Sequence, residues 1–315
     1  MNNIEADSYC IKRLDRDNIA DVAKLHAVVY GGKPPVAFLL KKYDTAYTEV
    51  NYVGFIAYNK QMLPVSFYGV IPCFIWCDSK MVLAAQSTDT MTHAEYRKRG
   101  LFVELAKRTF ELCQAEGIRL VFGFPNQNSL HGFKHKLKWQ MTDMMDCFII
   151  PVKSIPLEKF AVKLPLFNKI YRAYSWLVLK KYLIAKKGIP NSLLTEGYDG
   201  VFRDDKYLNY KTYSTTKVIG IDGACIWVKI NNGLIIGDML NVKNNFDEIM
   251  NKLSNIARAL GLNQILFQVS PDTRLHSLFA SRNKSFQSFP VMFKDISAGM
   301  PVDKIKFTYS DIDIF

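Results

Sequence analysis

Residues 92–102 read THAEYRKRGLF. Arg97, Lys98 and Arg99 stand directly before Gly100, and an amphipathic helical pattern begins at Leu101. The first turn of a helix has backbone N–H groups without intrahelical acceptors, and its dipole favours negative charge. A glycine there lets a ligand come close to the backbone, because no Cβ stands in the way. The stretch is a candidate cradle for a phosphate or pyrophosphate.

The segments on either side give the cradle a context. Strand-like runs at Val53 to Tyr58, Pro64 to Trp76 and Met81 to Met91 are separated by the turn-like YNKQ and CDSK, which predicts an antiparallel meander. A short strand from Cys10 to Leu14 and helices over 19–30 and 35–43 come before it. After the basic loop, Leu101, Leu105, Phe110, Leu112 and Cys113 recur with helical spacing, and Gly117 closes that helix as a C-cap. IRLVFGF then reads as a buried strand, PNQNSLHGFKHKL as a helix start and WQMTDMMDCFIIPV as another strand. The order βααβββαβαβ predicts an α/β fold, a mixed sheet with helices on its faces.

Composition limits what such a fold serves. A chain of 315 residues with 49% hydrophobic residues supports substantial cores, and its net charge of +12 favours anionic partners. The six cysteines have neither zinc-site spacing nor the density of a secreted disulfide scaffold, so the thiols are expected reduced, with Cys73 and Cys77 in a strand core. MNNIEADSYC has no signal-peptide pattern and no apolar run is long enough to span a bilayer, so the expected compartment is cytoplasmic. No metal site is expected.

The strand QSTDTM, the turn THAEY and then Arg97, Lys98, Arg99 and Gly100 leading into a helix resemble the GNAT-type acyl-CoA N-acyltransferases over residues 1–152. That family's pyrophosphate loop reads R/QxxGxG/A. Arg97 and Gly100 fill its first and fourth positions, while Phe102 stands at the sixth in place of Gly or Ala. The resemblance implies acetyl-CoA or another acyl-CoA as co-substrate, with Arg97, Lys98, Arg99, Gly100 and Leu101 on its pyrophosphate. Thr90, Met91 and Thr92 would meet pantetheine and the thioester through their main chain, and Asn126 and Ser129 would complete the carrier site. Asp89 is the implied general base. Many relatives use a tyrosine seven residues beyond the position of Asn126 as the acid; here that residue is Phe133, and another register gives the role to His131. His93 reads as a turn residue.

LFVELAKRTFELCQAEGIRLVFGFP can be laid over NFDEIMNKLSNIARALGLNQILFQVSP at an offset of about 144 residues, matching Phe102 with Phe246 and Gly117 with Gly261. Leu130 and His131 then meet Leu275 and His276 after one extra residue. This period predicts a duplication, hence tandem GNAT-like halves. NVKN stands where RKRG stood, so the second half is expected to be degenerate, without a pyrophosphate loop. The expected organisation is a GNAT domain over 1–152, a basic helical connector over 153–199 and a second GNAT-like domain over 200–315.

Residues 159–187 hold eight Lys or Arg and no acidic residue, and Phe167, Ile170, Tyr171, Tyr174, Leu177 and Val178 fall on one helical stripe. Docking of that stripe onto the two domains is preferred here over peripheral contact with an anionic membrane. Farther on, FRDDKYLNYKTY resembles a segment of tandem acyltransferases that modify sugars, and it points to an amino-sugar acceptor.

The leading expectation is an acyl-CoA-dependent N-acyltransferase, acetyl first, acting on a small amine such as an amino sugar or nucleotide-linked amino sugar. A tRNA-dependent aminoacyl or peptidyl transferase of related tandem fold ranks below it, since those relatives lack the RxxG loop and nucleic acid is then not the expected partner. A non-catalytic acyl-CoA-binding or membrane-attached module is the third reading.

Overall fold

Alternation of β-branched and aromatic residues in VGFIAY and PVSFYGVIPCFIWC produces strands whose side chains are buried on both faces. The computed structural model describes residues 9–315. In chain order the elements are β1 (Cys10–Arg13), α1 (Ile19–Tyr30), α2 (Val36–Tyr43), β2 (Val53–Tyr58), β3 (Pro64–Cys77), β4 (Lys80–Thr92), α3 (Leu101–Ala115), β5 (Leu120–Gly123) and α4 (Gln127–His131). These, with the strand that follows, reproduce the expected βααβββαβαβ order. Then follow β6 (Gln140–Pro151), α5 (Leu157–Lys163), α6 (Pro165–Lys180), β7 (Gly200–Val201), α7 (Asp205–Tyr210), β8 (Thr216–Ile221), β9 (Ala224–Ile230), β10 (Leu234–Leu240), α8 (Phe246–Ala259), β11 (Gln264–Val269), α9 (Arg274–Ala280) and β12 (Ser285–Asp295).

The chain divides into two compact units. Of the described residues, the first holds 9–142 with 290–303, and the second 143–289 with 304–315. The expected blocks 1–152, 153–199 and 200–315 were contiguous, whereas the units are not. β6 follows α4 of the first unit yet pairs with β11 of the second, and β12 follows α9 of the second yet closes the first against β5. Strand periodicity says which face is buried and nothing about which neighbour a strand takes.

In the first unit β1, β2, β3 and β4 run antiparallel in that order, β4 pairs β5 in parallel and β5 pairs β12 antiparallel. In the second, β8, β9 and β10 run antiparallel, β10 pairs β11 in parallel and β11 pairs β6 antiparallel. The sequence of pairing senses is the same from β2 and from β8. The duplication is therefore visible as topology. The helices before the parallel strands, α3 and α8, end alike, on Gly117 at φ 76 and Gly261 at φ 66, a left-handed C-terminal geometry that glycine adopts without steric cost.

α3 packs Leu101, Leu105, Ala106 and Cys113 onto Tyr68, Val70, Ala85 and Val121. α8 packs Phe246, Ile249, Leu253 and Ile256 onto Ile236, Ile265 and Phe267. Each large apolar side chain so buried stabilises its unit by about 2 kcal/mol. Cys73 and Cys77 lie in the strand core as expected.

The connector differs from expectation. Its helical part is α5 and α6, broken at Leu164, and the chain beyond Lys180 is not helical until Ser192. The supposed stripe is split: Tyr171 and Val178 face inward, while Ile170 and Leu177 face solvent. The polar cluster of FRDDKYLNYKTY is largely interior, with Asp205 exposed and Tyr210 half-buried. Arg203 is buried between Asp238 at 2.6 Å and Asp311 at 2.7 Å, Tyr207 and Lys211 are buried, and Asp204 caps α7 by accepting from Tyr207 N. Burial works against the Arg203 charge, but Asp311 and Asp238 more than restore it, so the guanidinium stays cationic.

Candidate active site

β4 and β5 stay paired only as far as Gln86 and Phe122. Ser87–Thr92 run on past that point while the chain after β5 turns into α4, so the two strands part. Gly123 sits where they part, and a Cβ there would come within 3.3 Å of Ser87 and of the Trp139 ring. Against β3 the register slips: Phe67 pairs Met91 and Gly69 pairs Thr88, so Asp89 and Thr90 together oppose Tyr68. This is a β-bulge. Asp89 takes the left-handed conformation it requires, with φ 50, which aspartate tolerates better than most residues.

The bulge carries a polar cluster. Asp89 Oδ2 lies 2.7 Å from Lys42 Nζ and accepts from Tyr43 OH at 2.8 Å. Lys42, buried on α2, also donates to Thr88 Oγ1 at 2.9 Å. Thr90 O accepts from Tyr30 OH at 3.3 Å. Burial raises the Tyr30 hydroxyl pKa, the Asp89 charge adds to the effect and Arg97 opposes it. Met91 is buried with its carbonyl on Ser66 Oγ at 3.2 Å, and Thr92 O accepts from Arg97 Nε at 3.3 Å. Lys42, Tyr43 and Tyr30 were not anticipated. The available signal was that a partly buried Asp89 needs a counter-charge.

In the basic loop Lys98 (φ 64) and Gly100 (φ 84) are both left-handed, and Arg97, Lys98, Arg99 and Gly100 are all exposed. Arg99 lies 5.1 Å over the Tyr96 ring. His93 Nδ1 accepts from Glu95 N, the turn role expected of it. Val103 N and Glu104 N both donate to Gly100 O at 3.0 Å, the first bonds of α3, which leaves the Leu101 and Phe102 N–H groups ahead of the helix ladder. The Leu101 side chain is buried, so only its main chain reaches the cradle. Nothing lies within 4 Å of a Cβ built on Gly100. The glycine is required by its positive φ, and the space over it is open. Helix N–H groups, three exposed cations and open space fit a pyrophosphate.

Phe102, the departure at the sixth position of the loop, turns away into an aromatic cluster, with ring centroids 5.6 Å from Phe133 and 5.9 Å from Tyr68. Its Cε1 would lie 2.8 Å from a Cβ on Gly132. Glycine at 132 therefore makes room for the large residue at 102.

Asn126 caps α4, its Oδ1 accepting from Asn128 N at 3.0 Å and Ser129 N at 3.1 Å. Ser129 Oγ returns to Asn126 Oδ1 at 3.2 Å, which joins the two expected carrier residues. His131 is exposed, with its ring 4.7 Å from that of His135. It bonds to none of the other expected site residues among the described ones.

In the second unit the corresponding divergence is filled from within. β10 bulges at Gly237, just past its last parallel pair, Ile236 with Phe267. Residues 307–315 occupy this place: Thr308 bridges Val269, Ser270 N donates to Phe307 O at 2.9 Å, and the buried Phe315 ring lies where a Gly237 Cβ would be. Lys211 Nζ on Ile312 O at 2.9 Å and Lys229 Nζ on Ile314 O at 2.8 Å hold the segment there.

Residues 10–142 match the Acetyltransferase (GNAT) domain family. No curated protein matches the chain in sequence. Among solved structures, a GCN5-related N-acetyltransferase from Kribbella flavida superposes with a TM-score of 0.60 at 11% identity, over 94% of this chain and 73% of its own. Another from Anabaena variabilis gives 0.56 at 13%, over 92% and 73%. At these identities the likeness is one of fold, and it extends over both units. The family match falls on the unit that carries the bulge, the divergent strands and the basic loop, so the likeness in sequence to GNAT acetyltransferase domains lies in residues 10–142, and over the rest of the chain the likeness is one of fold.

Proposed function

We propose that the chain is an acetyl-CoA-dependent N-acyltransferase with one carrier site, in the first unit. The observation that carries this is Gly100, left-handed and open above α3, set between exposed Arg97, Lys98 and Arg99 at the end of a strand that has parted from its parallel neighbour. The carrier supplies the activated acyl thioester. Leu101 and Phe102 N–H groups and the three cations hold its pyrophosphate, the main chain of Thr90, Met91 and Thr92 orients its pantetheine arm, and Asn126 and Ser129 bound it on the α4 side. Arg97 and Tyr30, already on Thr92 O and Thr90 O, keep that strand segment in place.

Asp89 takes the proton of the attacking amine. Lys42 and Tyr43 both engage Oδ2, which fixes the carboxylate while Oδ1 serves as proton acceptor. Tyr30 and Asp89 together offer an aromatic and carboxylate surface suited to a small polar amine. His131, exposed on α4, is the candidate proton donor to the leaving thiolate. Amino sugars and nucleotide-linked amino sugars are the first acceptors to test.

Thiol release from acetyl-CoA, followed across a panel of amines, tests the reading. Turnover with at least one amine supports it. No turnover on any amine, from protein that does not bind the carrier, rejects it.

A further inference from the structure

The helical pair α5–α6 is fastened to the second unit by one face only. Tyr171 OH donates to Leu260 O at 2.9 Å and Tyr174 OH to Ala259 O at 2.7 Å, so two carbonyls at the end of α8 find donors on α6. Glu158 at the start of α5 accepts from Gly233 N at 2.9 Å, and Ser175 and Leu179 complete the buried side. This face satisfies the packing of the pair.

The opposite face is apolar as well. Leu166 is 76% exposed, Ile170 60% and Leu177 62%, and these positions are four and seven residues apart, a helical stripe pointing at solvent. Ile155, Phe160 and Trp176 are also exposed. Around them stand the exposed cations Lys159, Lys163, Lys169, Arg172, Lys180 and Lys181, and residues 159–187 contain no acidic side chain. A solvated helix face is normally charged on both signs, and exposed apolar stripes of this size mark interaction surfaces. Among the described residues no helix is long and apolar enough to cross a membrane.

We propose that the outer face of α5–α6 docks in the plane of an anionic lipid surface, with Leu166, Ile170, Trp176 and Leu177 entering the headgroup boundary and the ring of Lys and Arg meeting lipid phosphates. Charge complementarity selects this occupant: a cationic rim without a single carboxylate repels a second copy of itself and attracts anionic headgroups. Nucleic acid would satisfy the cations but not the aliphatic stripe.

Co-sedimentation of the full chain with phosphatidylglycerol/phosphatidylcholine vesicles tests the proposal. Binding is expected to anionic vesicles and not to pure phosphatidylcholine, and to weaken as salt is raised. Each of Lys169→Gln, Arg172→Gln and Lys180→Gln should lower partitioning by about fivefold. Leu166→Glu with Leu177→Glu should abolish it while thermal unfolding stays unchanged, since both side chains are already in solvent. Failure of the folded protein to bind anionic vesicles would overturn the proposal. So would a dimer in sedimentation equilibrium that the Leu166→Glu, Leu177→Glu variant dissociates, because the face would then belong to a second copy. Vesicle binding that survives that double substitution would place the contact elsewhere and overturn it equally.

Discussion

Lys42 reaches from α2 to put its ammonium 2.7 Å from Asp89 Oδ2, at the residue where β4 bulges out of its ladder. Lys42 is almost wholly buried, and Asp89 keeps some access to solvent. Removing one partner of such a pair strands the other, which costs far more than the pair itself contributes. Lys42→Met should therefore lower stability by about 3 kcal/mol in urea unfolding. Asp89→Asn keeps the shape and a hydrogen-bond acceptor but leaves the more deeply buried ammonium without a counter-charge, so it should cost at least as much. It should also lower kcat by about 10³ at unchanged carrier affinity. A kcat within twofold of the parent would remove Asp89 from the chemistry.

Phe102 and Gly132 act as a matched pair. Gly132→Ala brings a Cβ to 2.8 Å from the Phe102 ring, which Phe133 and Tyr68 hold from the other sides. The expected cost is about 2 kcal/mol. Phe102→Leu should relieve most of it, so a double-mutant cycle should show a favourable coupling of about 1 kcal/mol. Additive effects would mean that the ring has room elsewhere.

Much of this site was legible in the sequence, and the omissions have physical causes. The strands and helices of the first unit follow from apolar periodicity, and the loop from its cations and glycine. The second-unit repeat was visible because Gly117 and Gly261 end equivalent helices. Lys42 was not visible: in LLKKYD it reads as one of two solvated lysines, and only the fold turns it onto Asp89. Nor was the exchange of β6 and β12, since a strand's sequence does not name its neighbour. The filling of the second unit's divergence by residues 307–315 was equally hidden, because YSDIDIF has no regular period.

Lys211 gives that second unit a pH signature. Burial is the main cause that brings its pKa down to about 7, with Arg203 and Lys229 adding to it and Asp313 and Asp311 opposing. Between about pH 7 and pH 10 the unfolded chain then holds a proton that the folded chain has released, so stability rises with pH across this window, by at most about 1.4 kcal/mol per unit. Below pH 7 both states are protonated and the contribution levels off. Urea midpoints collected from pH 6 to about pH 10 should rise more steeply for the parent than for Lys211→Met. Parallel curves would show that the ammonium keeps its charge throughout.

The first unit's loop and the second unit's filled divergence together predict one carrier per chain, and calorimetric titration with CoA measures this directly. The parent should bind a single equivalent. Gly100→Glu, which puts a negative side chain on a left-handed glycine in open space above the helix N-terminus, should bind at least about a hundredfold more weakly. Two equivalents per chain, or an affinity unmoved by Gly100→Glu in a folded variant, would contradict the account.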